Sequence, residues 1–267
     1  MNPIVLITDF GTSSPYVAEM KGAILGICPQ AIIVDGTHAV EPQNVFAGAQ
    51  LLRQLAASFA HGSIFVVVVD PGVGTSRSVL LAQQRGQSFI APDNGLLSFV
   101  LTEPCSTRVL DKPEFWRREL SATFHGRDMM GPVAAHLALG LDPKEVASPN
   151  PRPMVRLQWP EFSREENAVR GEIVLIDTYG NLISNIPARC VSRHLNQVLI
   201  SGRKLPVCST YGEQAAGSCV ALVGSGGWLE VAMVNGSAQR EIGVSIGSEV
   251  VLRSEGRGQE NAANGLL

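Results

Sequence analysis

Apolar positions along the chain follow two rhythms. Ile4-Val5-Leu6-Ile7-Thr8 is an unbroken run of strand length, and Asp9-Phe10-Gly11 ends it with a turn signal. Pro15 then opens a stretch in which Val17, Met20 and Ile24 recur at helical spacing. Residues 31–34 predict a second buried strand. Pro42 precedes a second helix with Val45, Ala49, Leu52 and Leu55 on one face. Residues 64–69, rich in β-branched side chains, predict a third strand, and residues 130–139 a further helix. Continuous apolar strands separated by helices predict an α/β domain with a mostly parallel sheet covered on both faces.

The pattern changes at Ser148-Pro149-Asn150-Pro151-Arg152-Pro153, where alternate prolines predict an extended, semi-rigid linker. Beyond it helical spacing thins out. Short strands are predicted at 171–176, 197–200, 218–223 and 249–253, with Gly-rich turns between them. The organisation expected is an N-terminal α/β domain over 1–150, a smaller C-terminal all-β domain over 160–254, and a flexible polar tail over 255–267.

Composition narrows the function classes. Hydrophobic residues make up 45% of the 267 positions and charged residues 17%, enough for a sizeable core. The formal charge is −3 with no Lys/Arg-rich run, so nucleic acid is not the expected partner. No apolar run reaches the ~18 residues of a membrane span, and the first residues carry neither a basic region nor a small-residue cleavage site. A soluble, cytoplasmic protein is expected. The five cysteines (Cys28, Cys105, Cys190, Cys208, Cys219) show no CxxC spacing, which points to free thiols and not to a zinc or redox centre.

Four constellations carry polar chemistry. Asp9 and Asp70 follow the first and third predicted strands, where ligands of open α/β sheets bind, although a lone strand-end Asp also caps turns. Asp70 opens Asp70-Pro71-Gly72-Val73-Gly74-Thr75-Ser76-Arg77, a tight loop able to return Arg77 beside Asp70. Thr123-Phe124-His125-Gly126-Arg127-Asp128 sets a titratable ring, a cation and a carboxylate around a glycine before a helix. In the β half, Asp177-Thr178-Tyr179-Gly180-Asn181 ends a strand with an acid, a ring and an amide. The ring could stack on a purine and the amide read its edge, or the segment could be a plain Asx turn. The fourth is Gly224-Ser225-Gly226-Gly227-Trp228-Leu229-Glu230, followed by Asn235-Gly236-Ser237-Ala238. His38, His61, His136 and His194 lack comparable surroundings and read as structural or surface residues.

Together with Ala91-Pro92-Asp93-Asn94-Gly95-Leu96-Leu97, these marks in this order resemble the S-adenosylmethionine hydroxide adenosyltransferase family, relatives of the fluorinase and chlorinase enzymes. The resemblance runs from Ile4 to about Val251. It implies hydrolysis of S-adenosyl-L-methionine to adenosine and L-methionine, by attack of water or hydroxide on C5′, with no metal or other cofactor. It implies a catalytic trio at Asp70, Arg77 and His125, with Phe124 and Gly126 lining the substrate pocket. Asp9 would hold the ribose hydroxyls, Tyr179 and Asn181 the adenine, Asp177 the methionine amino group and Ser225 its carboxylate. It further implies a homotrimer with each site between neighbouring subunits. Halogenating relatives hold halide with a dedicated serine or a small pocket beside a tyrosine. His125-Gly126 at that place agrees with the hydrolytic branch, and Gln43 aligns where the fluorinase sets a tryptophan against the sugar.

The residues suit the chemistry. A sulfonium departs as a neutral thioether, so the reaction needs no general acid. It needs an oxygen nucleophile in line with C5′ and a dry pocket, and positioning of this kind can supply ~7–11 kcal/mol of the barrier. Three rival readings remain: metal-assisted hydrolysis on Asp9, Asp70, His125 and Asp128, an S-adenosylmethionine- or nucleoside-binding module without turnover, and a halogenase.

Overall fold

The computed structural model describes residues 2–192 and 194–254. The predicted tail at 255–267 lies outside the described residues. The chain clusters into two compact units, divided between Gln158 and Trp159.

The first unit is an α/β layer structure. Its strands are β1 (Ile4–Thr8), β2 (Ile33–Thr37), β3 (Ile64–Val68), β4 (Val79–Gln84), β5 (Gln87–Pro92), β6 (Thr107–Val109) and β7 (Ser148–Pro149). Its helices are α1 (Tyr16–Ile27), α2 (Val45–Ser58), α3 (Gly131–Ala138) and the short α4 (Pro143–Val146). The sheet order is β2-β1-β3-β5-β4-β6-β7. Every residue of β1 and β3 is buried, as their unbroken apolar runs demand. Ile4, Leu6, Ile64, Val66 and Val68 pack with Met20 and Ile24 of α1 and Val133, Ala134 and Leu137 of α3. Each such side chain taken fully out of water contributes about 1.5–3 kcal/mol. α2 lies against β1 and β3 as well. Its start is fixed by Asn44, whose side chain accepts from the Ala47 N–H at 2.9 Å.

The sheet is mixed, which corrects the expectation of a mostly parallel one. The pairs β1–β2, β1–β3 and β3–β5 are parallel, but β4–β5, β4–β6 and β6–β7 are antiparallel. The cause is local. Gln84 pairs with Gln87 across Arg85-Gly86, both of which take positive φ (50° and 70°). A two-residue turn of that hand makes a hairpin, whereas a parallel pair needs a crossover of a dozen or more residues.

The second unit is an antiparallel sheet in the order β12-β11-β15-β9-β10-β14-β13, with β8 on the side of β9. Its strands are β8 (Ser163–Arg164), β9 (Ala168–Ile176), β10 (Leu182–Pro187), β11 (Gln197–Ile200), β12 (Arg203–Pro206), β13 (Cys219–Val223), β14 (Trp228–Met233) and β15 (Glu249–Arg253). Its core gathers Val169, Ile173, Leu182, Ile186, Val198, Leu229, Val231, Val250 and Leu252. One short helix, α5 (Ala238–Ile242), interrupts the all-β pattern between a Ser237 cap and a left-handed Gly243.

Candidate active site

In the first unit the polar residues gather beyond the ends of β1 and β3. Two successive turns follow β3: the Val73 N–H donates to the Asp70 carbonyl at 3.2 Å, and the Thr75 N–H to the Gly72 carbonyl at 3.2 Å. They fold the loop back so that Arg77 meets Asp70. The guanidinium donates from Nε to Asp70 Oδ1 at 2.8 Å and from Nη2 to Oδ2, a two-pronged charged pair. Both side chains are largely buried, 10% and 5% exposed. The Asn94 side chain donates to the Val69 carbonyl at 2.8 Å, which steadies the strand end one residue before Asp70.

Gly74 joins this loop to the second constellation. Its φ is +79°, and a Cβ there would lie 2.4 Å from the carbonyl oxygen of Ala122. Only glycine allows both the left-handed backbone and the approach. Replacing it with alanine should cost on the order of 1–3 kcal/mol and pull the loop off the 121–125 segment. Turnover should fall while binding of free adenosine changes little, as steady-state kinetics beside calorimetry would establish.

Across that junction Arg77 Nη2 lies 3.0 Å from His125 Nδ1. A guanidinium only donates, so Nδ1 must be the acceptor and the ring proton resides on Nε2. Burial depresses the His125 pKa, Arg77 depresses it further, and Asp70 and Asp128 offset only part of this. The ring is therefore neutral near neutral pH. His125 enters a π-turn over Gly126–Met130 that leads into α3. Gly126 is buried there, its α-carbon so close to Val68 and Met20 that a Cβ would lie 3.2–3.3 Å from their side chains.

Arg127 and Asp128 serve the scaffold. Asp128 Oδ1 accepts from Arg127 Nε at 2.7 Å and Arg117 Nη1 at 3.2 Å, and Oδ2 from Arg127 Nη2 at 3.0 Å and the Ser121 N–H at 2.8 Å. Arg127 also reaches Glu19 at 2.6 Å and lies 4.8 Å from the centre of the Phe124 ring. Phe124, Phe10 and Tyr16 meet edge to face with centroids 5.5–5.8 Å apart, making an aromatic wall beside His125. Asp9 stands at the end of β1, where its Oδ2 accepts the Gln43 N–H at 2.9 Å. Gln43 takes a φ of +65° to present that N–H. Among the described residues no group of three or more His, Cys, Asp or Glu side chains stands close enough to hold a metal ion. Asp9, Asp70, His125 and Asp128 thus do not form the ligand set that the metal reading required.

In the second unit Asp177 closes an Asx turn. Its Oδ1 accepts the N–H groups of Tyr179 at 2.9 Å and Asn181 at 2.8 Å, and its Oδ2 the Asn181 amide at 2.9 Å. Three of roughly four acceptor positions are thereby used. The turn leaves Tyr179 76% exposed and orients the Asn181 amide. Gly180, at φ +81°, packs so tightly on Ser237 that no side chain fits. Ser225 lies on the exposed turn between β13 and β14, closed by the Gly227 N–H on the Gly224 carbonyl at 2.9 Å. Ser184 and Asn185 face inward: Ser184 bonds the Leu229 carbonyl, and Asn185 the Glu172 N–H and the carbonyls of Pro160 and Glu161.

Sequence reasoning missed one pair here. The buried Glu230 carboxylate lies directly under Gly224 and accepts from the Tyr211 hydroxyl. That bond, with burial, pushes the Tyr211 pKa up to about 12. The signal available was an acid at an inward position of β14.

Comparison with known proteins bears on the chain as a whole. Residues 4–147 match the model of the SAM hydroxide adenosyltransferase N-terminal domain, and residues 171–251 that of its C-terminal domain. The (R)-S-adenosyl-L-methionine hydrolase of Thermus thermophilus is 35% identical over 94% of this chain and 100% of its own length. The hydrolase of the same name from Methanocaldococcus jannaschii is 30% identical over 92% and 94%. A fluorinase from an Actinoplanes strain is 34% identical but covers 69% of this chain. The crystal structure of an uncharacterized conserved protein from Thermotoga maritima superposes with a TM-score of 0.87 at 34% identity, covering 94% of this chain and 99% of that one. With both domain models matched in order and relatives of this likeness aligned almost end to end, the chain belongs to the SAM hydroxide adenosyltransferase family.

Proposed function

We propose that this protein hydrolyses S-adenosyl-L-methionine to adenosine and L-methionine through a water-derived nucleophile held by Arg77 and His125. The observation that carries the reading is the part-buried Asp70–Arg77–His125 chain of bonds, in a protein aligned almost throughout with S-adenosyl-L-methionine hydrolases. The water oxygen forms a bond to C5′, the C5′–S bond breaks, and its electron pair returns sulfur to a neutral thioether. One water proton is released to solvent. Bulk water, with a pKa near ~15.7, supplies little hydroxide at neutral pH. The trio answers this with donors: the Arg77 guanidinium and the Nε2–H of neutral His125 both favour negative charge on a bound oxygen. Asp70 keeps Arg77 in place. His125 acts in this scheme as a donor, because its one lone pair faces Arg77.

In the same reading Asp9 takes the ribose diol, Tyr179 stacks on adenine and Asn181 hydrogen-bonds its edge. Phe124 and Gly126 line the pocket, Asp177 uses its last acceptor position for the methionine ammonium, and Ser225 receives the carboxylate. No cofactor is called for. Because these motifs divide between the two units, we place the complete site in a homotrimer, between neighbouring subunits. The five cysteines form no disulfide among the described residues, which fits a cytoplasmic setting.

The test is mass spectrometry of products formed in oxygen-18 water, with chelator present and halide absent. Adenosine carrying one heavy oxygen beside unlabelled methionine supports the reading. Retained intact substrate would favour a binding module, and loss of activity in chelator a metal site.

The trio also predicts an acid limb. Below the depressed pKa of His125 both ring nitrogens carry protons, so Nδ1 can no longer accept from Arg77 and two cations face each other. kcat should fall as pH drops through that value, which lies under the ordinary histidine range, and a His125→Asn variant should lose this inflection. Stability follows the same sign. The unfolded chain takes up the proton first, so the folded state loses ground as pH falls from the unfolded histidine pKa to the lower folded one.

A further inference from the structure

We infer that His38 is a positioning residue for Asp9, gripping the chain on both sides of that carboxylate through Thr8 and Gly11. The inference rests on the reading of Asp9 as the ribose-diol acceptor.

His38 is buried, and each ring nitrogen has one partner. Nε2 lies 2.9 Å from Asp35 Oδ1 and Nδ1 2.9 Å from Thr8 Oγ1. A carboxylate bound to Lys21 Nζ at 2.6 Å can only accept, so the Nε2 proton points to Asp35. In the neutral ring Nδ1 is then the acceptor, and the Thr8 hydroxyl donates to it. With its proton so committed, Thr8 Oγ1 turns a lone pair to the Phe10 N–H at 3.2 Å. This is a side-chain turn that wraps the backbone around residue 9. For the neutral ring the order Lys21–Asp35–His38–Thr8–Phe10 is therefore set in one direction by its donors and acceptors.

The backbone of the same histidine completes the grip. The Gly11 N–H donates to the His38 carbonyl at 2.8 Å, and the Val40 N–H to the Thr8 carbonyl at 3.4 Å. Five residues on, the Gln43 N–H meets Asp9 Oδ2 at 2.9 Å. The segment 38–43 thus frames Asp9 from Thr8, from Gly11 and from its own carboxylate. A ring with one donor and one acceptor suits the place, because an amide at the same spot would have to span from Asp35 to Thr8 without the rigid separation of the two nitrogens. A carboxylate serves a vicinal diol only if its plane is held, since two hydroxyls must be met at once.

The test compares adenosine with 2′,3′-dideoxyadenosine by titration calorimetry in wild type, Thr8→Val and His38→Ala. Wild type should prefer adenosine by on the order of 10–100-fold, the range for hydrogen bonds to a charged group. Both variants should lose most of that preference while their affinity for the dideoxy compound stays within about twofold of wild type. Thr8→Val keeps a β-branched side chain at a strand end, so it should fold even if His38→Ala does not. Adding Thr8→Val to Asp9→Asn should change adenosine affinity little further. Equal loss for both nucleosides, or an intact preference, overturns the positioning role and leaves Asp9 as it was. Equal binding of the two by wild type overturns the Asp9 reading and this one with it.

Discussion

Arg77→Ala should lower kcat for S-adenosyl-L-methionine by about 10²–10³-fold, the loss typical of removing one preorganised donor from a developing charge. Binding of adenosine should stay nearly unchanged. The guanidinium touches Asp70 with two nitrogens and His125 with one of them, so its removal releases the ring and takes the positive charge from the bound oxygen. It also strands Asp70, whose side chain is 5% exposed, without a partner. Breaking a buried pair in this way typically costs about 3–5 kcal/mol. The alanine variant must therefore be read beside Arg77→Lys, which keeps the charge but cannot serve Asp70 and His125 through one planar fork. Lysine should retain the fold and lose most of the rate. The measurement is adenosine release under saturating substrate, with adenosine affinity determined on the same preparations. Parallel losses of rate and affinity would make Arg77 a binding or folding residue instead.

Asp128→Ala should be strongly destabilising. Its carboxylate is fully buried and receives four hydrogen bonds from Arg127, Arg117 and Ser121. Burial alone would push the carboxyl pKa up, but the Arg127 bond, the Ser121 N–H and the nearby guanidinium charges outweigh it and hold the pKa below the usual aspartate value. The stabilisation is thus complete above the unfolded aspartate pKa and is lost as pH falls through the lower folded one. Both arginines reach water, which discounts the penalty toward the low end, about 3 kcal/mol. For a chain of this size that is a fall in Tm of roughly 6–12 °C at neutral pH. The difference from wild type should shrink in acid. A Tm gap independent of pH would mean that the carboxylate acts by packing and not by charge.

Much of the first unit was legible because its strongest signals are local. The runs at Ile4 and Ile64 are too short for helices and too apolar for loops, and they became β1 and β3. Val17, Met20 and Ile24 share one face whatever surrounds them, and α1 follows. The hairpin of β4 and β5 escaped notice because Arg85-Gly86 is a weaker turn signal than Asn-Gly, and both strands are buried without clean alternation. With that hairpin went the expectation of a mostly parallel sheet. β2 begins at Ile33, later than the apolar run at 31–34 suggested, and none of its residues is buried, because it pairs only with β1 at the edge of the sheet.

The site divides the same way. Sequence alone determined which residue types were at hand and roughly where: acids at strand ends, glycines where the backbone must turn, a ring and an amide on one β turn, and motifs ordered specifically enough to point to a family. Those properties depend on the covalent chain and on contacts a few residues long. Only the tertiary structure decided what each group does with its hydrogen bonds. It joined Asp70 and Arg77 to His125 through a glycine pressed on Ala122, and turned Arg127 and Asp128 toward each other. It spent most of Asp177 on its own turn, and made a network of His38, which the sequence had offered as structural or surface. The longest-range of these bonds join Thr8 to His38 and Arg77 to His125, 30 and 48 positions apart, and Arg127 reaches Glu19 across 108. Donor and acceptor roles are settled when a fold brings the groups within 3 Å or so of each other, and no pattern along the chain encodes that distance.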